Sequence, residues 1–228
     1  MASFLNSSIG KKFLMSLSGL FLITFLLVHL VVNSMILFDP SGALFNNVAH
    51  FMGTNPIIRV VEPVLAIGFI LHILYACILT LKNQWVRPVG YDKQHSGNSS
   101  TWASRNMFVL GALILIFLVI HISNFFWKIK FTGSELLDNG GVNGVENVYL
   151  LVTTLFINWW WIDIVYVIGT VVLGLHLTHA FWSAFQTLGL SDNRWRKRLV
   201  IAGWVYTILV AGGFALIPLW VKISSMIN

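Results

Sequence analysis

Five uninterrupted apolar runs, at about 13–38, 57–82, 106–127, 161–188 and 198–223, constrain this chain more than any other feature. Each is long enough to cross the hydrocarbon core of a bilayer, which takes about 20 helical residues. No water is available there to satisfy backbone N–H and C=O groups, so a spanning segment must close its hydrogen bonds internally as a helix. The expected fold is an all-α integral membrane protein: a five-transmembrane-helix bundle in a single membrane domain over residues 1–228. Composition agrees. Of the 228 residues, 57% are hydrophobic and 10% charged, where a water-soluble domain carries about a quarter charged residues. Mean hydropathy is +0.81. The first run follows Lys11 and Lys12 and is too long for a signal peptide, so it is read as a retained span.

The net charge of +6 does not point to nucleic acid, because Lys and Arg gather at the ends of the apolar runs as topology signals do. With five spans, one side receives Lys11, Lys12, Lys82, Arg87, Lys93, Arg105, Arg194, Arg196, Lys197 and Arg198, and the other Arg59, Lys128, Lys130 and Lys222. That division is 10 against 4 of the 14 basic residues. The positive-inside rule then puts the N-terminus in the cytoplasm and the C-terminus outside. Trp85, Trp102, Trp127, Trp159, Trp160, Trp161, Trp195 and Trp220 stand near span ends, as an interfacial belt requires. The connection at 128–158, rich in Gly, Asn and acidic residues, reads as an irregular outer loop with at most a short interfacial helix.

The lone Cys77 rules out an internal disulfide, a C-x-x-C-H haem attachment and a cysteine-ligated iron–sulfur cluster within the chain. Histidine is another matter. Five of the seven histidines, His29, His72, His121, His176 and His179, lie inside expected spans. An ionisable residue there is costly and marks function by default. Depth sorts them. His29 lies 17 residues after Lys12 and His121 lies 16 after Arg105, so both stand roughly 25 Å from the inner surface at about 1.5 Å per residue. His72 lies 10 residues before Lys82 and His176 lies 12 before Leu188, roughly 15 and 18 Å from the same surface. Two imidazoles at one depth suit a planar metal macrocycle between them, and iron in a b-type haem takes axial nitrogen from His. Zinc wants three or four protein ligands together. A proton relay favours a chain of intramembrane acids, and only Glu62 and Asp163 approach the membrane, both at span starts.

Gly68 precedes His72 by four residues and Gly169 precedes His176 by seven, each returning to the same helix face, where a glycine admits a porphyrin edge or a close helix. Lys11 and Ser18 share the face of His29, and Arg105, Lys82 and Arg87 stand on the inner rim. Ser18, Lys11 and Arg105 are the candidate propionate partners. His50, Arg59 and Glu62 gather at the outer start of the second span, where a quinone would find polar groups beside an apolar slot. Glu62 is the candidate proton acceptor there, with an interfacial pair to Arg59 as the alternative. An inner quinone site framed by Trp85 or Trp102 stays open.

With these residues in view, the chain resembles the cytochrome b membrane anchor of succinate dehydrogenases and fumarate reductases, of the single-chain, five-helix, two-haem type. The likeness is carried by His-Leu-Val-Val-Asn at 29–33, Ala-His-Phe-Met at 49–52 and His-Leu-Thr-His-Ala-Phe-Trp-Ser at 176–183, together with the spacing of His29, His72, His121 and His176. It implies two non-covalent b haems: an outer one on His29 and His121, and an inner one on His72 and His176. It selects His176 over His179, because the family's ligand opens the His-x-x-x-x-x-Trp-Ser stretch. It implies menaquinone or a similar quinone as electron partner, with His50 and Glu62 near the outer haem. A flavoprotein (FAD) subunit and an iron–sulfur subunit would dock on the cytoplasmic face of a bacterial inner membrane. The chain would then be the subunit of a succinate:quinone oxidoreductase that binds no dicarboxylate. The direction of catalysis and dimerisation of the complex stay open. The rival readings are a haem-b anchor of a hydrogenase or formate dehydrogenase, and a transporter with a histidine relay.

Overall fold

The computed structural model describes residues 7–85, 101–138 and 145–227, and among them every regular element is a helix. Arg87 and Lys93 lie outside the described residues. Helix α1 spans Ser8–Phe38, and the hydroxyl of Ser7 accepts the Gly10 N–H at 2.9 Å to satisfy one of its free amides. The chain then turns over Asp39–Gly42 into α2 (Ala43–Thr54). Gly42 has φ of +75° and its Cα lies against the Tyr149 ring, so this turn requires glycine both for backbone and for space. The Asp39 carboxylate accepts the Leu44 N–H at 2.8 Å and the Ser41 hydroxyl at 2.7 Å. Those donors, Leu44 first, hold its carboxyl below the ordinary value of 3.8.

Helix α3 (Pro56–Trp85) opens on proline, whose missing N–H has no partner to lose at that position. A short turn α4 (Trp102–Arg105) leads into α5 (Met107–Asn124), which continues through a π-helical turn at Lys128–Thr132. Then come α6 (Glu135–Asp138), α7 (Val148–Asn158), α8 (Trp160–Thr187) and α9 (Asn193–Ile227). Five segments are long and apolar enough to cross a membrane: Ile9–Phe38, Pro56–Trp85, Met107–Thr132, Trp160–Thr187 and Arg194–Ile227. The expected spans are all present. The first and last begin several residues earlier than expected, because Ser7 caps α1 and the Asp192 carboxylate accepts the Arg194 and Trp195 amides at 2.9 and 2.7 Å. Lys11, Lys12 and Arg194–Arg198 therefore sit on helix rather than on loops.

Helices α8 and α9 make the most extensive contact, α1 packs on α3, α8 and α9, and α5 packs on α8. Small residues bring backbones together: Gly174 faces Ala211 and Thr207, and Gly203 faces Phe181. The outside is apolar. Only 6% of the most apolar window of α3, and likewise of α5, is buried, and Ile67, Ile70, Ile116, Val119 and Ile208 are each more than half exposed. Such a continuous apolar exterior suits lipid rather than water, so the chain is a multi-pass membrane protein.

The described part of the stretch at 128–158 carries the short helix that the sequence allowed there, but it is buried rather than lying free at an interface. The last third of the stretch is the helix α7, whose Val148, Leu151, Val152, Thr153 and Phe156 are buried. Asn46 of α2 ties it down, donating to the Asn147 side chain at 3.0 Å and accepting the Tyr149 N–H at 2.8 Å, while the Tyr149 hydroxyl donates to the Pro40 carbonyl. Helices α2 and α7 thus cover the end of the bundle away from the N-terminus. The main core, including Ile36, Phe45, Leu151, Phe156, Tyr166 and Ile217, lies beneath them.

Candidate functional site

Four helices bring four histidines together in two pairs. His29 of α1 meets His121 of α5 with ring centres 5.7 Å apart and planes at 85°. His72 of α3 meets His176 of α8 at 6.5 Å and 68°. These are the partnerships that depth along the helices implies. His179, one turn beyond His176, meets Trp182 with ring centres 5.2 Å apart and planes at 85°, and the Arg196 guanidinium covers the same Trp182 at 5.4 Å. His72 therefore faces His176 and not His179.

Each pair has its own surroundings. His29 stacks on Phe25 at 5.2 Å and touches Phe214, while Phe117, Phe125 and Tyr166 ring His121. Around the second pair the backbone comes close: Gly19 of α1 lies against His72 and Gly111 of α5 against His176. Gly68 and Gly169 serve otherwise than as open faces for a macrocycle. The Phe21 ring occupies the space at Gly68, and Phe117 the space at Gly169 so closely that a Cβ there would overlap it. Both glycines seat an aromatic ring of a neighbouring helix.

The hydrogen bonds of the imidazoles test whether haem iron fits. Ser18 Oγ donates its single proton to the Met15 carbonyl at 3.0 Å and lies 3.3 Å from His72 Nδ1. With the hydroxyl proton on that carbonyl, the imidazole is the donor in this contact, an arrangement with hydrogen on Nδ1 and the Nε2 lone pair free. That is the tautomer a metal ligand needs, held by an outer partner as ligating histidines usually are. Asn33 donates to the His29 carbonyl at 2.8 Å and places the same Nδ2 3.3 Å from His29 Nδ1. An amide nitrogen makes Nδ1 the acceptor, so metal on Nε2 of His29 would require this amide to turn its oxygen to the ring. His121 Nδ1 and His176 Nδ1 are buried with no partner, as is His179 Nδ1. Leaving such a nitrogen unpaired costs about 1–3 kcal/mol.

Two imidazoles sharing one metal through bonds of about 2.0 Å place their ring centres roughly 6 Å apart, and the two observed separations, 5.7 and 6.5 Å, lie on either side of that. Edge-to-face ring contact spans the same distances, and a metal on Nε2 would leave the unpaired Nδ1 nitrogens as they are. Among the described residues no three of His, Cys, Asp and Glu converge on one point, so the histidines form pairs rather than a cage. Each pair thus offers two imidazoles to one metal, the donor set that a b-type haem iron takes.

The remaining sequence candidates separate. Ser18 contacts His72, a placement that makes it a partner of the imidazole rather than of a propionate. Lys11 stands two turns before Ser18 on α1, about 10 Å along the axis, and Arg105 is exposed at the end of α4. At the other end, Glu62 does not pair with Arg59. Its Oε2 accepts from Lys130 Nζ of the π-helical turn at 3.0 Å, with each side chain about a third exposed. Arg59 Nε instead donates to the Gly53 carbonyl at 3.3 Å. His50 is exposed on α2, and among the described residues no hydrogen bond or ion pair joins it to Glu62 or Arg59.

A charge pair between Asp163 and Lys222, which the sequence does not show to be partners, lies near these features. Asp163, in the first turn of α8, is 8% exposed, and its Oδ2 lies 3.8 Å from Lys222 Nζ of α9. Lys222 also donates to the Phe156 and Ile157 carbonyls at the end of α7, at 3.3 and 2.8 Å. Asp163 Oδ1 is buried without a partner. No family model, curated protein or solved structure matches the chain.

Proposed function

We propose that the chain is a dihaem cytochrome b membrane anchor of a succinate dehydrogenase or fumarate reductase, passing electrons between a quinone and catalytic subunits on the cytoplasmic side. The observation that carries this reading is the meeting of His29 with His121 and of His72 with His176, at two levels of one bundle. Bound haem would supply a one-electron carrier at each level. The protein's own part is to hold and tune. His72 and His176 would ligate the iron nearer the N-terminal end, with Ser18 fixing the His72 tautomer. His29 and His121 would ligate the other, walled by Phe25, Phe117, Phe125 and Phe214, which keep water from it. Lys11 and Arg105 stand at the end where carboxylates of the first group would emerge. The excess of Lys and Arg at that end supports a cytoplasmic N-terminus and a basic platform for the partner subunits.

Glu62 and His50 lie at the opposite end, beside the level of His29, where quinone chemistry would take place. Glu62 serves there as proton acceptor, with Lys130 holding its carboxylate in place. The test is purification from native membranes with identification of what accompanies the chain. The expected companions are a flavoprotein and an iron–sulfur subunit with dye-linked succinate oxidation. Recovery with hydrogenase or formate dehydrogenase subunits, or alone with no haem, would overturn the reading.

A further inference from the structure

Among the described residues, Asp163 in the first turn of α8 is a buried carboxyl that the histidine pairs and the Glu62 site leave unused. It is 8% exposed and stands one turn before Tyr166, whose ring lies 5.9 Å from that of His121. The Tyr166 hydroxyl in turn accepts from Asn124 Nδ2 of α5 at 3.1 Å. Asp163 therefore lies just beyond the His29/His121 pair, between it and the end of the bundle that α7 covers.

Its bonding is incomplete in a particular way. Lys222 would neutralise it, yet that ammonium is nearer the Ile157 carbonyl, at 2.8 Å, than the Asp163 carboxylate, at 3.8 Å. Lys222 thereby closes the C-terminal end of α7, where unpaired carbonyls attract a cation. One carboxylate oxygen keeps a distant charge and the other, Oδ1, keeps nothing. A clamp between helices would draw the charges into contact and satisfy both oxygens. A buried oxygen left open beside a partly exposed lysine, whose side chain is 22% accessible, is instead suited to take a proton and return it to the surface.

We propose that Asp163, positioned by Lys222, is a proton-transfer residue for quinone chemistry at the His29/His121 end of the bundle. The proposal rests on the dihaem anchor reading. In the oxidative direction a quinol gives up two protons and two electrons, which bound haem would accept one at a time. One quinol O–H bond breaks as its proton passes to Glu62, the acceptor in the reading above; the other breaks as an O–H bond forms on Asp163 Oδ1, and the neutral acid then loses that proton to water past Lys222. In the reductive direction the same proton moves inward.

The experiment uses the intact complex purified from membranes, wild type beside Asp163→Asn, Asp163→Glu and Lys222→Gln. Four readouts are taken: quinol-linked turnover across pH, dye-linked activity of the partner subunits, haem spectra, and redox-induced infrared difference spectra. Asp163→Asn is expected to lose at least tenfold in quinol-linked turnover while dye-linked activity and both haem spectra persist. A carboxyl band present in the wild-type infrared spectrum disappears in that variant. Asp163→Glu, which restores the carboxyl, is expected to recover turnover to within about threefold with a displaced pH profile, and Lys222→Gln to displace the profile as well. Should Asp163→Asn fail to assemble, the Glu and Lys222 variants decide: an unmoved pH profile in both overturns the proposal. Asp163→Asn turnover within twofold of wild type, with an unchanged infrared spectrum, also overturns it and leaves a structural clamp. A wild-type complex without haem or quinol turnover overturns the anchor reading itself, and the proposal with it.

Discussion

Replacing Glu62 by Gln keeps the shape of the side chain and removes both its charge and its ionisable proton. The structure sets the expected damage to stability. At 3.0 Å from Lys130, the bare Coulomb attraction is about 1.4 kcal/mol in water and about 5.5 kcal/mol at an effective dielectric of 20. Each side chain is about a third exposed, so solvent screening, the rotamer entropy of two long side chains and salt remove most of that, and such pairs are worth about 0.2–1 kcal/mol. A loss of about 1 kcal/mol changes the folding equilibrium roughly fivefold against a margin of about 5–15 kcal/mol. Glu62→Gln should therefore stay assembled with both haems. If the carboxyl accepts a proton from quinol, turnover should fall far more than stability allows, by roughly 10²-fold. Lys130→Gln removes the same ion pair but keeps the acid, and its turnover is expected within about threefold of wild type. The assay is quinol-linked turnover beside dye-linked activity and haem spectra. Unchanged turnover in Glu62→Gln refutes the reasoning. An equal fall in both variants also refutes it, because the fastening of α3 to the π-helical turn would then be what matters.

The other predictions concern the imidazoles and their support. His176→Ala should remove the haem nearer the N-terminal end, whereas His179→Ala, whose ring faces Trp182, should retain both; haem spectra of the two variants check this. Ser18→Ala removes the acceptor that sets the His72 tautomer and should weaken retention of that haem by about 10–100-fold, measured by haem loss to an apo-globin acceptor. Gly169→Ala drives a methyl into Phe117, which packs against His121. Overpacking of this kind costs about 1–3 kcal/mol, so thermal unfolding in detergent should start lower and the His29/His121 haem should change its spectrum first.

The bilayer makes part of this structure readable in one dimension. A span's length and its basic ends place each histidine at a depth, and His29 with His121, or His72 with His176, are matched in depth before any packing is known. What depth cannot supply is azimuth. Ser18 shares the face of His29 by helical spacing, and only the packing of α1 on α3 shows that it stands beside His72. Glu62 has Arg59 one turn away on its own helix, and its partner is instead Lys130, 68 residues on in the chain. Helix α7 has 11 residues, too few for a span, so a length criterion passes over it. Its stability comes from burial against α2, α8 and α9, contacts no local pattern records. Gly68 and Gly169 each allow two uses, and only the Phe21 and Phe117 rings beside them decide which.

If each of the two histidine pairs holds one b-type haem, the chain carries two, and haem stoichiometry measures that number. The chain is purified from its native membrane, its haem is extracted by acid–organic solvent, and the yield per polypeptide is measured by pyridine haemochrome. The account predicts non-covalent haem b close to two per chain, falling to close to one in His29→Ala and again in His72→Ala. A wild-type content near zero or one, or single variants that keep both haems, would contradict it.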